Sequence, residues 1–297
     1  MCMDIKKKFK DFLIDNFSWI ISDELYLRWK FKNNMGYKLN LDAPKTFSEK
    51  LQWLKLYNRK SQYTSLVDKY AVKDYIESKI GSEYIIPTLG IWDKPEQIEW
   101  EKLPNRFVLK TTHGGGGTGV VICKDKQNFD KGKAIKCLNH SLKLDLYVHS
   151  KEWPYKNVPK RIIAEQYMED TNGELNDYKL FCFNGKVKVL FIATGRFRNL
   201  CFDFFDENGK FLPFDQMYPH ANPKPSIPQN FEKMKELAES LSADIPFVRV
   251  DFYSVNEKIY FGEMTFFHDS GMVPINPREW DYKLGEWLTL PNEKCYE

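Results

Sequence analysis

The sequence predicts an α+β fold in which helices lead and antiparallel hairpins follow. Three observations carry that expectation. Thr46 with Glu49 three residues on is a capping box, one of several helix signals in the first third of the chain. Asn184-Gly185 and Asn208-Gly209 lie between β-branched and aromatic runs, as in hairpins with tight turns. Strands and helices do not alternate strictly, as a parallel βαβ sheet requires.

In chain order, residues 5–32 place apolar positions on one broad face and are expected to be helical. "LNLDAPKTFSEKLQWLKLYNR" reads as a loop followed by the capped helix, and "YTSLVDKYAVKDYIESKIG" as further helix stopped at Gly81. "EYIIPTLGIW" reads as a short strand. "LPNRFVLKTT" and "TGVVICK" read as strands on either side of four glycines. Residues 129–144 are expected to be helical, and "RIIAEQYM" a strand. "DYKLFCFNG" with "KVKVLFIATGR", "LCFDFFDENGKFL", and "FVRVDFYSVNEKIYFGEMTF" give three hairpins. Between the last two lie an irregular loop with five prolines (212–229) and a helix, "NFEKMKELAESLSA".

At 297 residues the chain is long enough for about two domains. A net charge of +3 is too small to suggest nucleic acid. The six cysteines are scattered with no C-x-x-C pair, which suggests neither zinc nor a disulfide framework and fits a reducing cytoplasm. The basic start, "MCMDIKKKFKDFLIDNFSWII", is interrupted by Asp11 and Asp15 and has no signal-peptide cleavage site. It is expected to be an amphipathic helix, packed on the protein or resting on an anionic membrane surface. No stretch has the length of a transmembrane helix.

"KTTHGGGGTGVV" holds the strongest local signal. A Walker A loop needs G-K-[ST], but Gly119 precedes Val120. A dinucleotide loop must open a helix, and "VVICK" is a poor helix start. A kinase glycine loop has its lysine after the glycines, whereas Lys110 precedes them. What remains is a glycine-tipped hairpin whose amides approach phosphate without Cβ atoms in the way, with Lys110 at its base. A second signal is Asp251 and Glu263, acids inside apolar strands of one hairpin. Two such carboxylates with nucleotide phosphates suit Mg²⁺, and by period two Arg249 shares a face with Asp251. An Arg–carboxylate pair with a purely structural role remains the alternative. "RIIAEQYMED" is a weak signal by itself.

Together with "LNLDAPKTFSEKLQWLKLY", "DKYAVKDYI", "DYKLFCFNGKVKV", "YFGEMTFFHDSG" and "KLGEWLTLP", these segments resemble the ATP-grasp superfamily, and most closely its TupA-like branch in surface-polysaccharide biosynthesis. The resemblance implies an ATP-grasp fold holding ATP between two α+β lobes. It implies a helical extension over 1–60, a pre-ATP and substrate region over 61–105, a lid lobe over 106–164 and a core lobe over 165–297. Lys69 or Lys73 resembles the pre-ATP lysine, and Lys110 the lysine reaching the α/β-phosphates. Gly114, Gly115, Gly116 and Gly117 resemble the closing loop. Glu165 to Met168 resemble the adenine hinge, with the backbone of Gln166 and Met168 reading the purine and Glu169 the ribose. Asp177 and Lys179 resemble a D-x-R pair with lysine for arginine. Arg249, with backbone groups near Gly271, resembles the oxyanion holder. Asp251 and Glu263 resemble the Mg²⁺ carboxylates. The family's last motif is E-x-N, and here Thr265 stands at the asparagine position, with Asp269 as a substitute ligand.

The implied chemistry is ADP-forming amide synthesis through an acyl phosphate. The branch's context implies a hexuronic acid, free or nucleotide-linked, and an amino acid or amino alcohol as amine. A nucleotide-sugar glycosyltransferase is the rival, with Asp203 and Asp206 for its missing D-x-D motif. A carbohydrate-binding module using Trp153, Tyr155, Trp280 and Trp287 is a third reading, disfavoured by the buried acids. His113 and His268 flank the two motifs.

Overall fold

The computed structural model describes residues 21–296 apart from 116, 170–174, 176 and 196–198. The helix expected over 5–32 is described only in part. Helix α1 (Asp23–Met35) starts at Ser22, whose side chain accepts from the Leu25 amide, and closes on Gly36 in the left-handed region. Residues 21 and 22 are not helical, because a capped start with Asp23 and Glu24 in the first turn is a helix boundary. The basic segment before it, and the membrane reading attached to it, lie outside the described residues.

Helix α2 (Phe47–Tyr57) carries the predicted capping box. Glu49 N–H donates to Thr46 Oγ1 at 3.1 Å, and Thr46 N–H donates to Glu49 Oε2 at 3.1 Å. After a two-residue strand β1 (Asn58–Arg59) come helices α3 (Gln62–Val67) and α4 (Val72–Lys79). The strand expected from "EYIIPTLGIW" begins late. Residues Ser82–Tyr84 form a 3-10 turn, Pro87 has no N–H to pair, and only β2 (Thr88–Trp92) joins a sheet.

Strands β3 (Phe107–Thr111) and β4 (Val120–Cys123) form the glycine-tipped hairpin. Helices α5 (Lys131–Lys143) and α6 (Leu146–Ser150) and strand β5 (Ile162–Gln166) follow. The four-stranded antiparallel sheet runs β2-β5-β3-β4, so the boundary expected at 164/165 falls inside one of its strands.

The second sheet is five-stranded. It contains β6 (Asp177–Phe183), β7 (Lys186–Thr194), β8 (Cys201–Asp206), β9 (Phe247–Val255) and β10 (Lys258–Thr265), in the antiparallel order β10-β9-β6-β7-β8. Asn184 and Gly185 both have positive φ, as the β6–β7 turn requires. The hairpin expected around Asn208-Gly209 is reduced to one bridge, Phe205 to Phe211. Asp206 Oδ1 accepts from the amides of Asn208 and Lys210, which closes the turn, and Pro213 prevents further pairing. Helix α7 (Phe231–Leu241) buries Phe231, Met234, Leu237, Ala238 and Leu241 against this sheet.

Helix α8 (Glu279–Trp287) and strand β11 (Cys295–Tyr296) complete the fold. Asp281 of α8 accepts from Ser48 N and Oγ at 2.9 and 3.0 Å, and Lys50 donates to Gly285 and Leu288 carbonyls. The start of α2 is thus tied twice, by its own box and by the chain's end. Thr46→Ala is expected to cost about 1–2 kcal/mol in urea unfolding, since the cap oxygen is fully buried and its loss strands the Glu49 amide. An unchanged midpoint would show that the Asp281 contacts hold the helix start alone. One core lies around the five-stranded sheet with α1, α2, α7 and α8, and a smaller one under the four-stranded sheet. Among the described residues no helix is long and apolar enough to cross a membrane.

Candidate active site

The register of β9 and β10 builds one wall of the site. Tyr253 faces Tyr260 and Phe252 faces Phe261, but Asp251 faces Glu263 because a bulge at Gly262 skips one residue. Side chains alternate along a strand, so without that extra residue Glu263 would oppose Val250 and point away from Asp251. A Cβ at Gly262 would lie 3.0 Å from the Asp251 carbonyl oxygen, so a side chain there would press on the paired strand. On the other side of β9, β6 sets Lys179 opposite Asp251.

Arg249 is the hub of this wall. Its Nε and Nη2 donate to the two Asp251 oxygens at 2.7 Å each. Nη2 also reaches Glu263 Oε1 at 3.1 Å and Thr265 Oγ1 at 3.0 Å, and Nη1 donates to His268 Nδ1 at 3.0 Å. Lys179 bridges Asp177, at 2.6 Å, and Asp251. Burial opposes Arg249's charge, but the Asp251 carboxylate outweighs it and raises the guanidinium pKa. Burial would raise the Glu263 carboxyl, yet Lys69 and Arg249 hold it down at about 2. Burial lowers His268 to about 4, so the imidazole is neutral. With Nδ1 accepting from Arg249, its Nε2–H donates to Gln216 Oε1 at 3.0 Å. Gln216 comes from the proline-rich loop, and nothing in the sequence pattern marked it.

The glycine hairpin forms the facing wall. A Cβ at Gly114 would meet Thr111 Oγ1 at 2.6 Å, and one at Gly119 would meet Ser141 Oγ at 2.2 Å, so these two serve close packing. Gly117 has φ +77 with open space around it. Gly115 and Gly117 both border the cleft, and Gly116 lies outside the described residues. Lys69 joins the two walls, with its Nζ on the Gly114 carbonyl and 3.7 Å from Glu263 Oε2. Between the walls is a cleft of about 710 Å³, which Lys110, Asp177, Lys179, Arg249, Asp251, Glu263 and Thr265 also line.

Several residues stand differently from their expected roles. Lys69 and Lys73 are not interchangeable, because Lys73 pairs with Glu165 Oε1 at 2.7 Å and does not border the cleft. Glu165 also takes Lys110 on Oε2 at 2.7 Å, and its backbone pairs with β2 and β3, so its side chain is an ion-pair centre between two lysines. The Gln166 N–H donates to the Pro87 carbonyl at 3.0 Å. Glu169 pairs with Arg106, which lies over the Tyr167 ring at 4.2 Å. Met168 is half-buried beside them. Gly271 lies behind the cleft wall, where a Cβ would meet Gln52 at 2.6 Å and Leu51 at 2.9 Å. The cleft-facing members of its loop are His268 and Asp269. Thr265 Oγ1, engaged by Arg249, also donates to Glu263 at 3.3 Å.

The oxygen donors fit Mg²⁺ with a nucleotide. Among the described residues no group of three or more His, Cys, Asp or Glu could hold a metal. Mg²⁺ needs only one or two carboxylates when phosphate oxygens and water complete its shell. Glu263, about a third exposed, is the accessible ligand, while Asp251 has both oxygens on Arg249 and Lys179.

No curated protein matches the chain. Among solved structures, D-alanine–D-alanine ligase from Helicobacter pylori is 15% identical with a TM-score of 0.47, over 82% of this chain and 65% of that one. The Bacillus anthracis ligase complexed with ATP is 14% identical with a TM-score of 0.40, over 68% and 53%. N5-carboxyaminoimidazole synthetase from Staphylococcus aureus complexed with ADP is 16% identical with a TM-score of 0.42, over 67% and 44%. The chain spans less than two thirds of the length of each of these proteins. The family model described as TupA-like ATPgrasp matches residues 49–289, a span that includes both sheets and both walls of the cleft. The chain belongs to the TupA-like ATP-grasp family.

Proposed function

We propose that the protein is an ATP-dependent carboxylate–amine ligase that forms an amide through an acyl phosphate and releases ADP. The observation that carries this reading is Arg249. It is a buried planar cation in a cleft between a glycine hairpin and a carboxylate pair. ATP lies with its phosphates between that hairpin and the strand wall. Lys69, Lys110 and Lys179 neutralise the phosphate oxygens, and the amides near Gly115 and Gly117 donate to them. Glu263 would hold Mg²⁺, with Asp251 able to join it only by giving up a bond to Arg249 or Lys179, and the ion would supply charge neutralisation to the transferring phosphoryl group. The substrate carboxylate attacks the γ-phosphorus, and the amine then displaces phosphate from the acyl phosphate. Arg249 holds the oxyanion formed in that second step, its position fixed by Asp251 and by neutral His268.

The carboxylate substrate is a hexuronic acid, free, nucleotide-linked or within a surface polysaccharide, and the amine is an amino acid or amino alcohol. We place the reaction in the cytoplasm, at the inner membrane face where capsule precursors are assembled. The glycosyltransferase alternative loses its metal motif. Asp203 is fully buried and committed to His220 at 3.3 Å and Lys224 at 3.4 Å.

The test is ADP and phosphate release with ATP and Mg²⁺ across a uronic-acid panel crossed with an amine panel, with mass spectrometry of the products. One ADP per product, heavier than the acid by the amine minus water, is the expected result. A glycoside formed without ATP consumption would sink the reading.

A further inference from the structure

We infer that Glu152 binds the acceptor amine as its ammonium form and takes the proton that must leave before the amine can attack. This rests on the ligase reading above and assigns the half of the reaction that none of the residues discussed so far accounts for. Glu152 follows α6 and lines the same cleft as Arg249. Asp177, Asp251 and Glu263 on that wall are each paired with lysine or arginine. Among the described residues Glu152 has no such ion pair in the cleft, and the cation that acts on it most is buried Lys55. A carboxylate with no lysine or arginine beside it in the cleft can receive a cation from there, whereas Asp177, Asp251 and Glu263 are already neutralised. Asp269 also lines the cleft without a lysine or arginine, 3.3 Å from neutral His268, but of these two Glu152 is the one that buried Lys55 acts on from behind.

Glu152 is held in place from behind. Lys55, fully buried on α2, donates to the Ser150 carbonyl at 3.0 Å, the Ser270 carbonyl at 2.8 Å and Ser270 Oγ at 2.6 Å. Ser270 Oγ therefore accepts from Lys55 and keeps its own proton, which draws the Glu152 carboxyl down. Asp269, Ser270 and Gly271 all have positive φ, a conformation that costs a non-glycine residue energy and is held here by Lys55 and by Gln52 on the Ser270 and Gly271 carbonyls. This same loop carries His268, which positions Arg249. Ser270, which Lys55 holds, and His268, which bonds Arg249, thus belong to one loop, and Tyr155 lies within the fields of Glu152, Glu263 and Arg249 together.

The chemistry balances. The acyl phosphate and R–NH₃⁺ give the amide, hydrogen phosphate and one proton. The ammonium gives its first proton to Glu152, the nitrogen lone pair forms the C–N bond, and the C–O bond to phosphate breaks. The second nitrogen proton leaves with the phosphate. Burial raises the Glu152 carboxyl, and Lys55, Ser270, Ser150 and Lys30 draw it back. Tyr155 is the neighbouring titratable group on its own turn, and its hydroxyl is held well above its ordinary value by burial. A carboxylate moved toward neutrality is a better base than one at its ordinary value.

The experiment compares two nucleophiles near neutral pH, with hexuronic acids as the acid substrate. Hydroxylamine is largely uncharged there and needs no base, and it traps the acyl phosphate as a hydroxamate. Ethanolamine is almost wholly ammonium. In Glu152→Gln the ratio of ethanolamine to hydroxylamine turnover is expected to fall by about 10²-fold or more. Its ethanolamine rate should then rise with pH in step with the free amine, without the acid limb given by a carboxylate base. Glu152→Asp should recover part of the ratio. An unchanged ratio, or equal loss with both nucleophiles in a variant that unfolds like wild type, would overturn the proposal. If Glu152→Gln does not fold, the ratio in Ser270→Ala decides, since the Lys55–Ser270 link must then matter for ethanolamine alone. Absence of hydroxamate with wild type would overturn the ligase reading, and this inference with it.

Discussion

Arg249→Lys is expected to lower kcat by roughly 10²–10³-fold while leaving ATP affinity little changed. The guanidinium makes two parallel bonds to Asp251 at 2.7 Å each and reaches Glu263, Thr265 and His268 with its remaining donors. An ammonium keeps the charge but has three donors and no plane. It satisfies Asp251 at the expense of the other partners, and it presents no fixed donor to an oxyanion. Among the described residues the hydrogen-bond partners of Arg249 all lie outside the glycine hairpin, so the phosphate side should be untouched. Steady-state kinetics beside calorimetric ATP titration separate the two effects. A parallel loss of ATP affinity and rate would place Arg249 in nucleotide binding, and an unchanged kcat would remove it from the reaction.

Glu165→Gln is expected to destabilise the fold by about 3–5 kcal/mol, the cost of leaving buried charge without its counterion. Glu165 is 6% exposed and neutralises both Lys73 and Lys110. Lys73 keeps the Ile86 carbonyl and Thr88 Oγ1, each at 2.8 Å, but these are neutral acceptors. The sign with pH follows from the shift. Burial raises the Glu165 carboxyl, Lys110 and Lys73 outweigh it, and the folded pKa lies below the ordinary 4.5. A depressed carboxyl contributes stability that is complete above the unfolded value and is lost as pH falls through the folded one. Wild type should therefore lose stability in urea as pH drops below about 4.5, and the variant should lack that component. A difference under about 1 kcal/mol near neutral pH would mean that the two lysines are served by solvent.

Much of the fold was legible in the sequence because its signals are local. The Thr46–Glu49 box, the Asn184-Gly185 turn and the alternating strands of 247–265 each depend on residues a few positions apart, and each is present. The misses came where two local signals competed. Ser22 cut a helix that the apolar periodicity of 5–32 carried through, Pro87 removed half of a strand, and the Asp206 side chain closed a turn that left no return strand.

The site divides along the same line. The sequence by itself determined that a lysine precedes a glycine-tipped hairpin, that Arg249 and Asp251 share a face, and that Glu263 lies on the partner strand. Periodicity and turn chemistry suffice for these, since they act over short stretches of chain. The tertiary structure alone decided which of Lys69 and Lys73 reaches the cleft, that Glu165 spends its charge on two lysines, and that Gln216, His268, Lys55 and Glu152 stand behind or beside Arg249. Their partners are far away in the chain, and a buried charge finds its counterion through packing, which no local pattern encodes. The bulge at Gly262 lies between the two cases. A lone glycine in a strand hints at an extra residue, but only pairing with β9 shows that this one residue turns Glu263 toward Asp251.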